Sequence, residues 1–150
     1  MTAIRLATFD DLLQLTPFPL VAAFHHEEGI VSDPKQRDRT LIPLLEGSPY
    51  GTVYMIGPRN SPMGYVVFSF IWSVEFGGLE AMVDKVYLRH NVRGKGIGKS
   101  IIKRLFRTMA ANGAYSLSLE VHQKNAKAIQ FYKALGFRLH QNYSFMSMEM

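Results

Sequence analysis

The sequence predicts a mixed α/β fold, in which a central, mostly antiparallel sheet is flanked by about four helices. Three observations predict it. Residues 64–76 (GYVVFSFIWSVEF) are dense in β-branched and aromatic side chains, and Gly77-Gly78 separates them from a second such run, Leu79–Arg89, as in a hairpin. After glycines at 94, 96 and 98, apolar residues fall at Ile97, Ile101, Ile102, Leu105, Phe106 and Met109, with Lys99, Lys103, Arg104 and Arg107 on the other face. That is helical periodicity. Ala114–Val121 then alternates as a strand. A strand, a helix and a strand in succession over 79–121 require a parallel pair joined by a right-handed crossover.

The other elements follow in order. Ile4–Thr8 reads as a short strand, and Asp10 and Asp11 stand at the start of a helical stretch to residue 26 that Pro17 and Pro19 interrupt. Asp33-Pro34 places an N-cap before a proline at the first helical position, opening a helix to about Glu46. Gly47–Gly51 is a turn, Thr52–Ile56 a short strand, and Pro58–Pro62 a turn. Asn112-Gly113 stops the long helix. Asn125 can N-cap a last helix carrying Ile129, Tyr132 and Leu135, which Gly136 ends. Phe137–His140 and Tyr143–Met150 read as two final strands around a turn at Asn142. No internal repeat or linker divides the 150 residues, so a single domain over 1–150 is expected.

Composition excludes several classes of function. With 47% hydrophobic and 19% charged residues the chain is neither disordered nor of low complexity. No apolar run approaches the ~18 residues of a membrane span, and MTAIRLATFD lacks the pattern of a secretory signal. The absence of cysteine removes a disulfide scaffold, a thiolate metal site and a cysteine nucleophile, and it fits a reducing cytoplasm. None of the five histidines falls in an HExxH spacing, so no metal is expected. The net charge is +5, and the excess collects at Lys85, Arg89, Arg93, Lys95, Lys99, Lys103, Arg104 and Arg107. A local basic patch suits a small polyanion, such as a phosphorylated cofactor, at least as well as a nucleic-acid duplex.

The segment from Val86 to Ser100 (VYLRHNVRGKGIGKS) carries the most chemistry, because it runs from a strand through a glycine-rich turn into a helix N-terminus. Backbone N–H groups there favour an anion, and glycine lets the chain approach phosphate oxygens. Gly98-Lys99-Ser100 matches the end of a Walker A loop, but the first glycine of that pattern falls on Arg93; the GxGxxG spacing also fails. The pattern [RQ]xxGx[GA] is satisfied at every position by Arg93-Gly94-Lys95-Gly96-Ile97-Gly98. With it goes Asn125-Ala-Lys-Ala-Ile-Gln-Phe-Tyr132-Lys-Ala-Leu-Gly-Phe137, which resembles NxxAxxFYxxxGF. Together the two motifs resemble the GNAT acetyltransferase superfamily, and the similarity extends over residues 64 to 137.

The resemblance implies the GNAT acyl-CoA N-acyltransferase fold and transfer of an acetyl group from acetyl-CoA to an amine in a ternary complex. It implies that Val86, Tyr87 and Leu88 offer backbone groups to the pantetheine arm and to a developing oxyanion. It places the pyrophosphate on Arg93, Gly94, Lys95, Gly96, Ile97, Gly98, Lys99 and Ser100. Asn125 is then both a helix cap and a cofactor contact, and Tyr132 the acid for the leaving thiolate, although each also has a purely structural reading as cap and as core tyrosine. The base is open among Asp84, Glu75 and Glu80. Asp84 matches a family position near the acceptor amine, Glu75 is a second candidate, and Glu80 reads as a solvated carboxylate. Relatives often carry a second acid after the first, where this chain has Lys85; strand alternation predicts that Asp84 and Lys85 face opposite sides.

His25-His26-Glu27-Glu28 falls where the superfamily forms part of the acceptor site, and it also reads as a solvated helix end. Trp72 and Tyr65 read as core, with the alternative that one of them lines the acceptor cleft. Two other functions compete: an acyl-CoA-binding sensor of the same fold without catalysis, and a basic nucleic-acid-binding domain using the Lys99–Arg107 face. A nucleotide hydrolase is weaker still, for want of the Walker glycine. The acceptor's identity lies in the least patterned part of the chain. Tyr143–Met150, as an exposed edge strand, offers pairing with a neighbouring protomer and hence a homodimer.

Overall fold

The computed structural model describes residues 2–15, 29, 31 and 33–150. Its strands are β1 (Ile4–Leu6), β2 (Gly51–Ile56), β3 (Gly64–Ser73), β4 (Gly78–Leu88) and β5 (Ala114–Leu119), lying side by side in that order. The helices are α1 (Leu12–Leu15), α2 (Pro34–Leu45), α3 (Ile97–Ala111) and α4 (Ala126–Ala134). Neighbours from β1 to β4 pair antiparallel, and β4 pairs with β5 in parallel. The result is the expected mixed sheet, with α3 as the connection between its parallel strands. Two compact units divide the chain after Glu120: the sheet with α1 to α3, and a C-terminal unit carrying α4.

Each face of the sheet has its own core. On one, Val53, Met55, Tyr65, Val67 and Tyr87 pack with Leu15 and Leu41, supported by Leu12, Leu44 and Leu45. On the other, Ile56, Val66, Phe68, Ala81 and Val83 pack with Ile101, Leu105 and Met109 of α3. The alternation of β3 explains the split, since Val66 and Phe68 serve one face while Tyr65 and Val67 serve the other. Asp33 caps α2 as its sequence suggests, its Oδ1 accepting the Gln36 N–H at 2.7 Å.

Three sequence expectations need correction. The long strand stops at Ser73, because Val74–Gly77 forms the hairpin turn; Ser73 O accepts the Gly77 N–H at 2.8 Å and Ser73 Oγ accepts the Phe76 N–H at 3.2 Å. Trp72 is 62% exposed rather than core, since the apolar cluster on its face of β3 ends at Phe70. Residues 137–150 form no strand, and Tyr143, Phe145, Met146, Met148 and Met150 are exposed. Alternating apolar residues supply one half of a ladder, and among the described residues no second half pairs with them. The edge expected of Tyr143–Met150 is therefore not formed, and the homodimer loses that support. Pro17, Pro19 and the remainder of the first helical stretch lie outside the described residues.

A paired charge ties β1 to the turn that follows. Arg5 Nη1 and Nη2 donate to the two Asp11 carboxylate oxygens at 2.7 and 2.6 Å, and the Thr8 N–H adds a bond of 2.9 Å. The Asp11 side chain is only 3% exposed. The Arg5 guanidinium, assisted by Thr8, holds the Asp11 carboxyl below the usual aspartate range. A depressed carboxylate stabilises the fold above its unfolded pKa of ~3.9, and that stability is lost as pH falls through the folded value. Asp11→Ala is expected to cost about 3 kcal/mol by urea unfolding at pH 7, because it strands Arg5. The difference between wild type and variant should shrink below about pH 4.

Candidate active site

The site begins with a fault in the β3–β4 ladder. Val67 lies opposite Lys85, but Phe68 lies opposite Val83, so Asp84 is an extra residue on β4: a β-bulge. The parallel ladder to β5 ends at the same place, with Val83 opposite Leu119. Beyond it, Lys85–Leu88 pairs with β3 alone. The Arg89 N–H donates to Met63 O at 2.8 Å, which makes that pair hydrogen-bonded and, by alternation, Tyr65 with Tyr87 and Val67 with Lys85 also. Val86 and Leu88 therefore turn their N–H and C=O groups toward the side that β5 has left.

The bulge also re-aims side chains. Lys85 sits opposite Val67 and shares its face. Asp84 is on that face too, contrary to simple alternation, and its Oδ1 lies 3.1 Å from Lys85 Nζ. Burial, with Tyr87 and Asp84 adding to it, pushes the phenol of Tyr65 far above its ordinary value, which fits a carboxylate on the same side. Glu80 is half-buried and accepts a hydrogen bond from the Ser118 hydroxyl across the β4–β5 ladder, so it is anchored rather than merely solvated. Glu75 lies exposed in the hairpin turn, at the end of β4 remote from the glycine loop.

Arg93 joins the strand end to the glycine turn. Its Nε donates to Leu88 O at 2.7 Å, and its guanidinium carbon stands 5.4 Å from the centre of the Tyr87 ring. Gly94 (φ +76°) and Gly96 (φ +73°) then take left-handed conformations. A Cβ at either would meet nothing within 4 Å, so backbone torsion rather than crowding calls for glycine. Gly96 is the N-cap of α3 and has no side chain to cap it. Ser100 N–H is bonded to Gly96 O at 3.3 Å, and the N–H groups of Ile97, Gly98 and Lys99 precede it in the first turn. Lys95 and Lys99 stand exposed beside this helix start. The helix dipole and the two lysines make it attractive to an anion.

In the C-terminal unit the second motif is explained by helix ends. Asn125 caps α4, its Oδ1 accepting the Ala128 N–H at 3.1 Å. At the other end the Gly136 N–H donates to Lys133 O at 3.0 Å and the Phe137 N–H to Tyr132 O at 3.1 Å, the paired bonds of a Schellman turn. Gly136 has φ +103°, and the Phe137 ring meets the Tyr132 ring edge-on at 5.6 Å. Asparagine, tyrosine, glycine and phenylalanine at this spacing thus define one capped helix. Tyr132 is half-buried, and burial raises its phenol above the ordinary value, which already lies well above neutral pH.

The bulge and the anchoring of Glu80 were not anticipated from the sequence. A signal for the bulge existed: the apolar residues on one face of β4 run Ala81, Val83, then Val86, Leu88, a slip of one residue. His25-His26-Glu27-Glu28 lies outside the described residues.

Over residues 10–137 the sequence matches the Acetyltransferase (GNAT) family, and the chain belongs to that family. The thialysine N-epsilon-acetyltransferase of Sus scrofa is 35% identical over 82 residues, 54% of this chain and 48% of that protein. The chain spans about half the length of the curated relatives it matches. Among solved structures, a possible acetyltransferase from Clostridium difficile 630 matches with a TM-score of 0.85 at 21% identity, covering 99% of this chain and 97% of the other. The ribosomal-protein-alanine N-acetyltransferase of Brucella melitensis biovar Abortus 2308 matches at 0.75 with 19% identity, covering 100% and 99%. These likenesses establish a shared fold.

The left-handed glycine at the start of α3 provides a test of the turn. Gly96→Ala should lower stability by about 1–2 kcal/mol in urea unfolding, from torsional strain alone. Far-UV circular dichroism should be unchanged.

Proposed function

We propose that the chain transfers the acetyl group of acetyl-CoA to a primary amine in a ternary complex. The observation that carries this reading is the opening of β4 from β5 after Val83, directly ahead of the glycine turn and the start of α3. The residues present fit the co-substrate. The outward N–H and C=O of Val86 and the outward N–H of Leu88 suit an extended amide-bearing arm, and the first turn of α3 with Lys95 and Lys99 suits a diphosphate. When bound, acetyl-CoA supplies an activated acetyl thioester, whose C–S bond breaks as the amide C–N bond forms.

The chain's own groups then divide the work. Val86 N–H points into the opening and serves as the donor for oxygen charge that develops on the acetyl carbonyl. Asp84, two residues earlier, accepts the proton that the amine must lose before it attacks, directly or through a water, and passes it to solvent. Glu75, exposed in the hairpin turn, has weaker support as that base. Tyr132, a neutral phenol at working pH, gives a proton to the departing thiolate and recovers one from solvent; a protonated amine gives up two protons in becoming an amide, so one proton is released to water in each turnover. Arg93 braces the turn through Leu88 O and Tyr87, and Asn125 fixes the start of the tyrosine's helix. Similar proteins are named for acetylation of thialysine and of a ribosomal protein's alanine, which supports an amine acceptor. No described helix is long and apolar enough to cross a membrane. With no cysteine in the chain, we place its work in a reducing cytoplasm.

Thermal unfolding with acetyl-CoA, with ATP as a competing polyanion, tests the reading. Acetyl-CoA at ~100 times its Kd should add roughly 2.7 kcal/mol, a shift of a few degrees, and ATP should not. No shift at millimolar acetyl-CoA would overturn it. Tyr132→Phe should lower kcat by on the order of 10²-fold while leaving KM for acetyl-CoA nearly unchanged, as expected on losing a proton donor.

A further inference from the structure

Two opposite charges stand together at the mouth of the opening. Lys85 Nζ lies 3.1 Å from Asp84 Oδ1 and donates to Asp84 O at 3.2 Å, and the two side chains are 39% and 49% exposed. An unbroken strand would have sent them to opposite faces, so the pair exists because of the bulge. Both lie within two residues of the Val86 N–H. The carboxylate best placed to meet an incoming amine therefore already has an ammonium beside it, supplied by the chain.

That arrangement treats different amines differently. A diamine arriving protonated at Asp84 would crowd a second ammonium against Lys85, and like charges so placed oppose binding. An acceptor that brings its own carboxylate permits an exchange of partners. Its amine pairs with Asp84 and its carboxylate with Lys85, so the lysine meets an opposite charge rather than a like one.

Building on the acetyl-transfer reading above, we propose that Lys85 selects zwitterionic acceptors, amines carrying a carboxylate in the manner of amino acids, over the corresponding diamines. Lys85 takes the acceptor's carboxylate while Asp84 takes the amine. It is a specificity residue, and no proton passes through it.

The test compares L-lysine with cadaverine, which differ only in the carboxylate, at saturating acetyl-CoA. Wild-type protein should show kcat/KM at least about tenfold higher for L-lysine, Lys85→Met should abolish the preference, and Lys85→Glu should reverse it. A wild-type preference for cadaverine, or a ratio unchanged in both variants, would overturn the proposal. Should neither amine turn over, thermal unfolding in the presence of acetyl-CoA decides the matter. A larger shift with L-lysine that is lost in Lys85→Met supports selection by Lys85, whereas equal shifts overturn it. The acetyl-CoA shift is read in the same experiment. Its absence removes the acetyl-transfer reading itself, while its presence with equal amine shifts removes only the role of Lys85.

Discussion

β4 has two neighbours with conflicting demands. It pairs with antiparallel β3 along its whole length, but with parallel β5 only as far as Val83. One inserted residue, Asp84, reconciles the two. A bulge bends and twists the strand that carries it, and here β4 parts from β5 at that point. The outward backbone of Val86, the shared face of Asp84 and Lys85, and the approach to the glycine turn all follow from this one irregularity. Without it β4 would keep its register, and the acid and the lysine would look away from each other.

The turn after β4 depends on the same strand end. Arg93 reaches back to Leu88 O and lies against Tyr87, a core residue of the opposite face. The turn is thereby anchored to the sheet before it enters α3. Gly94 and Gly96 supply the two left-handed torsions, and α3 begins without a side-chain cap. Ordinary helices satisfy their first N–H groups with Ser, Thr, Asp or Asn. A helix that starts on glycine leaves those donors to a partner from outside.

Much of this was legible in the sequence because it is local. The β3–β4 hairpin and α3 show long, strong periodicity, and the caps of α2 and α4 are single residues with single hydrogen bonds. What the sequence did not convey depends on partners remote in the chain. Tyr143–Met150 alternates as a strand should, yet no described strand completes its ladder. Trp72 is apolar, but its neighbours, not its own character, decide whether it is covered. Glu80 looked solvated because Ser118, 38 residues away, is invisible to any local pattern. The bulge is an intermediate case. The slip from Val83 to Val86 was present in the sequence, but two polar residues filled the gap and could be taken for an ordinary exposed pair.

The Schellman turn that closes α4 has a consequence for how the chain tolerates change. The bonds that close the helix after Tyr132 run from Gly136 and Phe137, and the Phe137 ring meets that of Tyr132. The helix's other end is capped by Asn125. Both ends of the helix that carries the phenol are thus written in thirteen consecutive residues. Within that stretch genetic tolerance should be narrow at Asn125, whose side chain makes the cap, and at Gly136, whose φ of +103° disfavours any side chain.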